Sequence, residues 1–560
     1  MGSARGPRAG FGGPPKPFVP PHFSGPVSFG QCLPARRIKI EPGRRAAGQF
    51  TPAAYAPQLR LRIKNSLPAT SIPGKLATLM QQVNLGIIGG GTVGSGVFHA
   101  LELNGRLMSS RIGIKVHLHK IAAKALDEPR PYPIPHSYLT TDWTRVVNDP
   151  QVHIVIELAG GITVARTMVL TALKLGKPVI TANKALLSAC GEELFATANE
   201  FGTNLYYEAS VAGGIPIIKS LREGFVGNQI THLYGIVNGT CNYILTRMKR
   251  DGAEFGDVLK DAQRLGYAEA EPSLDIDGHD SMHKIGILAS LAHGFWVRPA
   301  DIYVEGIRSI TRADIQFADQ LGYTIKLLGI IKKTEARSIP ATTRGISPAD
   351  LEKITAAYLE QQSSGLPAGP AQPSSAPHKA TVPKGSRVQV SVYPTLIPNT
   401  HVLANVSDVF NAVFVRGDVV GDTLFYGRGA GKDATASAVL SDIADAALDF
   451  KFGTKCRVPP FVPHDHAGSV QPIAEAVSRY YLRLTVVDRP GVLAKIAAIL
   501  GAANISISSV IQPEGHEGDS VPLILMTHLS PNAPMSRALA KIDALDVNKA
   551  KPVMIRVEDF

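Results

Sequence analysis

Hydrophobic and polar positions follow one another along the chain in three regimes. Between Val83 and Asn183, the apolar runs VNLGIIGG, IKVHLHKIAAK, VHIVIELAG and KPVITAN are separated by helical spacing from about Thr92, around Thr141 to Asn148, and from about Thr163. Runs this continuous suit strands buried on both faces, and their alternation with helices predicts βαβαβαβ, a parallel sheet covered on both sides. From about Tyr206 to Tyr426 the pattern loosens into mixed strands and helices, including HLYGIVNG and VQVSVYPTL, which predicts an α+β domain on an open sheet. A third regime opens near Tyr480. There YYLRLTVVD, GVLAKIAAILGAA, NISISSVIQ, VPLILMTHL, MSRALAKIDAL and KPVMIRVED spell βαββαβ, a compact sheet with both helices on one face.

At 560 residues, 44% hydrophobic and 19% charged, the chain has the composition of a globular protein of about three domains of roughly 150 residues each. No window approaches 18 uninterrupted apolar residues and the first residues lack the apolar core of a secretory signal, so no spanning helix or secretion is expected. The four cysteines, Cys32, Cys190, Cys241 and Cys456, form neither a paired framework nor a CxxC spacing, which predicts a reducing compartment and no zinc. The net charge of +12 points to nucleic acid until it is located. Residues 1–80 carry twelve Lys or Arg against the single acid Glu41, so the remainder is nearly neutral and no nucleic-acid or membrane partner is expected.

That basic segment holds nine Pro and nine Gly in its first fifty residues and has no core-forming pattern, so 1–79 is expected to be disordered. Two readings of it stand: an organelle transit peptide, which would make a plastid protein, or a start codon set too far upstream of Met80, which would make a cytoplasmic one. A second Pro, Ser and Gly run over 362–386 predicts a flexible insertion.

Gly89, Gly91 and Gly94 form GxGxxG directly after an apolar strand and before a helix that opens at Thr92 and Val93. The first glycine permits a tight turn, the second lets the backbone approach a pyrophosphate and the third lets helix and strand pack closely, so a dinucleotide at the helix N-terminus is expected. An acid at the end of the second strand would hold the ribose 2′-hydroxyl of NAD; here that strand ends in HKIAAK, and Lys120 and Lys124 favour a 2′-phosphate, hence NADP(H), with NAD(H) the alternative. TANKALL puts Lys184 at the carboxyl end of the fourth strand, the edge where parallel sheets bind ligands. VNGTCNYILT adds a polar loop, and GYAEAEPSLDIDGHDSMHKIGILA an acid-rich loop entering a helix on which Asp280 and Lys284, at i and i+4, share a face.

TANKAL, NGTCNYI and GYAEAEP…DIDGHDSMHK closely resemble homoserine dehydrogenase, from about Val83 to Ala447, and DRPGVLAKI resembles the start of the ACT domain that follows the catalytic part in the long monofunctional forms. The expected organisation is then a Rossmann domain over 80–205 completed by about 428–450, a substrate and dimerisation domain over 206–427, and a regulatory ACT domain over 478–560. No aspartate kinase fusion is expected. The resemblance implies reversible reduction of L-aspartate 4-semialdehyde to L-homoserine, a step of threonine, methionine and isoleucine biosynthesis.

It also implies roles. Glu269 would bind the substrate ammonium, Asp275 would line the pocket, Lys284 would give the proton to the forming alkoxide with Asp280 positioning it, and Lys184 would bridge cofactor and substrate oxygen. A lysine must first give up its own proton to act as a base, so oxidation should improve in alkali. EASVAGGIP matches a segment that holds a sodium ion through Glu208, Val211, Gly213 and Ile215, against a plain Gly-rich turn. GRGAGKDATASAVLSD would bring Gly429 and Gly431 to a helix start near the nicotinamide. Two departures stand out: Ala434 where the family usually has Pro, and Lys124 where it has Arg. L-Threonine is the effector the ACT resemblance implies, with simple strengthening of a homodimer or homotetramer as the other reading. A chain that binds nucleotide and amino acid without turnover is the non-enzymatic alternative.

Overall fold

The computed structural model describes residues 81–334, 385–454, 456–513 and 520–560; the extension 1–79 and nearly all of 362–386 lie outside them. The first layer is a parallel sheet of β1 (Gln82–Ile88), β2 (Lys115–Ala122), β3 (Leu139–Thr140), β4 (Ile154–Glu157), β5 (Val179–Thr181) and β6 (Leu205–Tyr206), in the order β3-β2-β1-β4-β5-β6. Helices α1 (Thr92–Ile112), α2 (Thr144–Val147), α3 (Thr163–Lys174) and α4 (Lys184–Glu200) connect the strands. Every residue of β4 is buried, as expected of a strand covered on both faces. The strand order reverses between β1 and β4, which opens a ligand crevice at the carboxyl ends of those strands. The two-residue β3 has too little apolar length to stand out in the sequence. Lys184 therefore follows the fifth strand of the sheet rather than the fourth.

The second unit contains α5 (Ile217–Lys219), β7 (Ile230–Ile236), α6 (Gly239–Asp251), α7 (Phe255–Arg264), α8 (Ser273–Ile276), α9 (His279–His293), β8 (Tyr303–Val304), α10 (Arg312–Gln320), β9 (Tyr323–Thr334), β10 (Arg387–Pro398), β11 (Phe410–Gly417) and β12 (Gly421–Arg428). Its helices end where glycine allows: Gly252 and Gly294, at φ 61° and 71°, close α6 and α9. The chain then returns to the first layer as α11 (Lys432–Phe452), which packs along α1 so closely that a Cβ on Gly96 would lie 3.1 Å from the Lys432 carbonyl oxygen.

After β13 (Ser469–Val470), the last unit runs β14 (Val477–Val487), α12 (Val492–Ala502), β15 (Ile507–Ile511), β16 (Ser520–Thr527), β17 (Ser530–Pro531), α13 (Asn532–Asp543) and β18 (Asn548–Val557). The βαββαβ order is the expected one, but the sheet is not self-contained. β18 pairs in parallel with β10, Thr395 opposite Arg556 and Leu396 opposite Val557, so that one sheet runs β12-β11-β7-β9-β10-β18-β14-β16-β15. Buried charges lock this seam. Asp314, which also caps α10 through Thr311, receives Arg483 at 2.7 and 3.0 Å and the Tyr481 hydroxyl at 3.1 Å. Arg556, 1% exposed, donates to Glu305 at 3.1 Å and to Asn532 at 2.9 Å and lies over the rings of Tyr303 and Tyr393. Among the described residues, no helix is long and apolar enough to cross a membrane.

Candidate active site

The glycine turn after β1 divides its labour as the sequence predicts. Gly89 sits at φ 112°, where a Cβ would lie 2.4 Å from the Leu158 carbonyl carbon, and a Cβ on Gly94 would lie 1.9 Å from the Gly89 oxygen. At Gly91 a Cβ would meet nothing within 4 Å, so this face of the turn is open. Helix α1 begins there with no side-chain cap and no acid in its first turn, which leaves the amides around Thr92 and Val93 and the positive helix end for an anion. Gly431, at φ 112°, begins α11 with the same open surroundings. Gly429 is packed instead, because a Cβ there would strike the Asn411 amide. Ala434 permits the helix entry without proline, its Cβ 3.3 Å from where a Cβ on Gly214 would be. These features fit a dinucleotide.

The two lysines after the glycine turn separate. Lys120 donates to Asp149 at 2.8 Å, holding that carboxyl down at about 2, and is committed there. Lys124, just past β2, is exposed. Arg130 is an unforeseen neighbour, its Nε donating to the Gly90 carbonyl at 2.9 Å and so fixing the segment after β2 against the glycine turn.

At the ends of β4 and β5 a buried network shapes the crevice. Glu157, fully buried, accepts from the Ala159 and Gly160 amides at 2.9 and 3.1 Å and from the Thr181 hydroxyl at 2.7 Å; burial pushes its carboxyl up against those hydrogen bonds. Asn183 donates to the Gly161 carbonyl at 2.7 Å and caps α4 by accepting from the Leu186 amide at 3.1 Å. Lys184, the first residue of α4, is thereby aimed across the crevice to α9.

There three ionised groups meet. Lys184 Nζ lies 3.2 Å from Asp280 Oδ1, and Lys284 Nζ lies 2.6 Å from Asp280 Oδ2. Lys284 also donates to the Val237 carbonyl at 2.7 Å, so two of its three N–H bonds are spoken for. Asp280 and Lys284 are 5% and 8% exposed. Burial alone would raise the Asp280 carboxyl, but the ammonium groups of Lys284 and Lys184, with hydrogen bonds from Lys284 and Asn238, hold it well below the usual carboxylate range. The i, i+4 spacing on α9 is thus a buried pair.

Asp275, on α8, joins this group through Asn238, whose Nδ2 donates to Asp275 Oδ1 at 2.7 Å and to Asp280 Oδ2 at 2.9 Å. The Thr240 hydroxyl lies 3.2 Å from Asp275 Oδ2 and 2.7 Å from the Tyr267 carbonyl, tying Asp275 to the loop that carries Glu269. Glu269 itself is exposed; its carbonyl accepts from Gln263 at 3.1 Å, and no hydrogen bond joins its carboxylate to the lysines. Sequence reasoning passed over Glu157, Thr181, Asn183, Asn238 and Arg130. Asn183 and Asn238 carried a signal, each a good cap directly before a helix.

In the 208–215 segment, Ala212 and Gly213 adopt φ 55° and 48°. The Glu208 carboxylate accepts from the Ile218 and Lys219 amides at 3.0 and 2.7 Å, and burial pushes it up to about 7. Its side chain is committed to α5, so an ion there would depend on backbone carbonyls. Among the described residues no three His, Cys, Asp or Glu side chains gather as a metal cluster.

The chain matches the family model "Homoserine dehydrogenase, NAD binding domain" over residues 89–208, "Homoserine dehydrogenase" over 216–444 and "ACT domain" over 480–547. It is 40% identical over 490 residues to the homoserine dehydrogenase of Pseudomonas aeruginosa, covering 86% of this chain and 100% of that one. With the homoserine dehydrogenase of Synechocystis it shares 38% identity over 479 residues, 85% of this chain and 99% of that one. A crystal structure of a homoserine dehydrogenase from Thiobacillus denitrificans matches with a TM-score of 0.72 at 40% identity, covering 86% of this chain and 99% of the other.

Proposed function

The chain belongs to the homoserine dehydrogenase family, and from that membership we propose how its own residues carry out the NAD(P)H-dependent reduction of L-aspartate 4-semialdehyde to L-homoserine. The observation that carries the reading is the Lys184–Asp280–Lys284 constellation, formed by one helix of the nucleotide-binding unit and one of the substrate unit. When bound, the nicotinamide cofactor would supply the hydride for the aldehyde carbon. Lys284 gives one proton to the aldehyde oxygen, completing the alcohol, through the N–H that Asp280 and Val237 leave free. Asp280 remains ionised throughout, which keeps Lys284 oriented and offsets the buried Lys284 ammonium and the half-buried one of Lys184. Lys184 stabilises negative charge developing on the same oxygen. Glu269 receives the substrate ammonium, and Asp275 lines the pocket.

Thr92, Val93 and the open Gly91 and Gly431 would hold the pyrophosphate and nicotinamide ends of the cofactor. NADP(H) is preferred over NAD(H): no acid closes β2, and Lys124 is free to meet a 2′-phosphate. The carbonyls of Glu208, Val211, Gly213 and Ile215 would hold a sodium ion, which suits hard oxygen ligands. The ACT unit takes L-threonine, in a homodimer or homotetramer working in the cytoplasm or a plastid.

Incubating the chain with NADPH and L-aspartate 4-semialdehyde and recovering L-homoserine tests the reading. NADPH binding without any homoserine formed would instead support a nucleotide and amino-acid sensor.

A further inference from the structure

Asn238 uses every polar atom of its side chain. Its Oδ1 accepts from the Cys241 amide at 2.8 Å, capping α6, so its Nδ2 must face the other way. That nitrogen has two protons and finds two carboxylates, Asp275 Oδ1 at 2.7 Å and Asp280 Oδ2 at 2.9 Å. Asn238 is 5% exposed, so water is a poor substitute for it. The two acids are not equally supported. Asp280 has Lys184 and Lys284, whereas among the described residues Asp275 has no ion pair and only Thr240, at 3.2 Å, besides the amide.

We propose that Asn238 is a positioning residue that lets two neighbouring carboxylates, Asp275 and Asp280, stand ionised side by side in the pocket, by giving one amide proton to each. The proposal rests on the proposed function for its kinetic readout. Like charges this close otherwise drive one carboxyl to keep its proton. A protonated Asp275 or Asp280 would weaken either the pocket or the hold on Lys284. Other charged or titratable groups facing the pair are Lys184 from α4, His279, His283 and Lys284 from α9, Asp277 at the end of α8 and the Cys241 thiol from α6, which burial, Asp275 and Asp280 together push up. None of the acids or the thiol replaces the two amide protons.

The cap and the bridge can be separated. Asn238→Ser keeps a good N-cap but has one short hydroxyl in place of two amide protons. Asn238→Asp keeps the cap and adds a third carboxylate, which becomes a donor only when the trio takes up a proton. For Asn238→Ser we expect Tm and NADPH affinity close to wild type, kcat/KM for the semialdehyde lowered about 10- to 100-fold at neutral pH, and its acidic limb moved up by about one pH unit. Asn238→Asp should be worse than Asn238→Ser at neutral pH and recover towards it in acid. An acidic limb of Asn238→Ser that overlays the wild type, or a loss tracked at every pH by equal losses of Tm and NADPH binding, overturns the proposal and leaves Asn238 a helix cap. Wild-type turnover is measured first, because its absence refutes the proposed function instead. In that case the onset of acid unfolding still decides, since without the bridge Tm should begin to fall at higher pH than in the wild type.

Discussion

Lys184 Nζ and Asp280 Oδ1 lie 3.2 Å apart, and this contact joins the first residue of α4 in the nucleotide-binding unit to the first turn of α9 in the substrate unit. Cofactor and substrate sides of the crevice therefore share one carboxylate. Asp280→Asn would leave two ammonium groups without their counterion, one of them buried. Removing one partner of a buried pair typically costs about 3–5 kcal/mol, so urea unfolding should show a loss of that order together with reduced turnover. A carboxyl held below its ordinary value contributes fully above that value and loses the contribution only as pH falls through the lowered one, so the deficit should be constant between about pH 5 and pH 8. Wild-type stability in the variant would mean that the lysines do not depend on Asp280.

Glu269→Gln should raise the KM for the semialdehyde more than it changes NADPH affinity, because the loss is a charge-assisted contact to the substrate ammonium alone. Steady-state kinetics beside a fluorescence titration of NADPH separates the two. An unchanged KM would move the ammonium site elsewhere.

His293, at the end of α9, is 6% exposed and its Nε2 has no hydrogen-bond partner among the described residues. Burial, with Lys333 and His464 beside it and Asp465 opposing, pushes it from 6.5 down to about 4. The folded protein thus resists a proton that the unfolded chain accepts. Stability from this group is complete above 6.5 and is lost as pH falls towards about 4, a drop of about 3 kcal/mol. Chemical melts at neutral and mildly acidic pH should show it, and His293→Gln should flatten the difference. An equal slope in the variant would assign the acid loss to other groups.

How much of this was legible in the sequence follows from which interactions are local. The glycine turn, the Asp280–Lys284 spacing and the βαββαβ order of the last unit are set by residues within a few positions of each other, and all were readable. Lys120 looked like a phosphate ligand because only the fold brings Asp149 to it. The seam between β10 and β18 was illegible for the same reason, since Arg483 meets Asp314 and Arg556 meets Glu305 across more than 160 residues of chain. Asn238 announced itself as a cap, but its second task depends on two acids that arrive from other helices.

That seam also bears on regulation. Helix α12 follows Gly491, at φ 90°, with no side-chain cap, leaving free amides for the carboxylate of an amino acid. Deleting the ACT unit would strip partners from Asp314 and Tyr393, so a point change is the cleaner probe. L-Threonine titrated into the assay should reduce turnover, with a change in apparent affinity of about 5- to 150-fold, and Leu493→Asp, which sets a negative charge on the exposed first turn of that helix, should relieve it. Indifference of the wild type to millimolar threonine would leave the unit a structural extension of the sheet.

The most direct test of the central claim is the turnover number of Lys284→Ala in NADPH oxidation driven by L-aspartate 4-semialdehyde, with NADPH affinity measured on the same preparation. Proton transfer contributes typically about 10² to 10⁴, so turnover should fall by at least about 100-fold while NADPH binding stays nearly intact. Near-normal turnover in Lys284→Ala would contradict the assignment of the proton to this lysine.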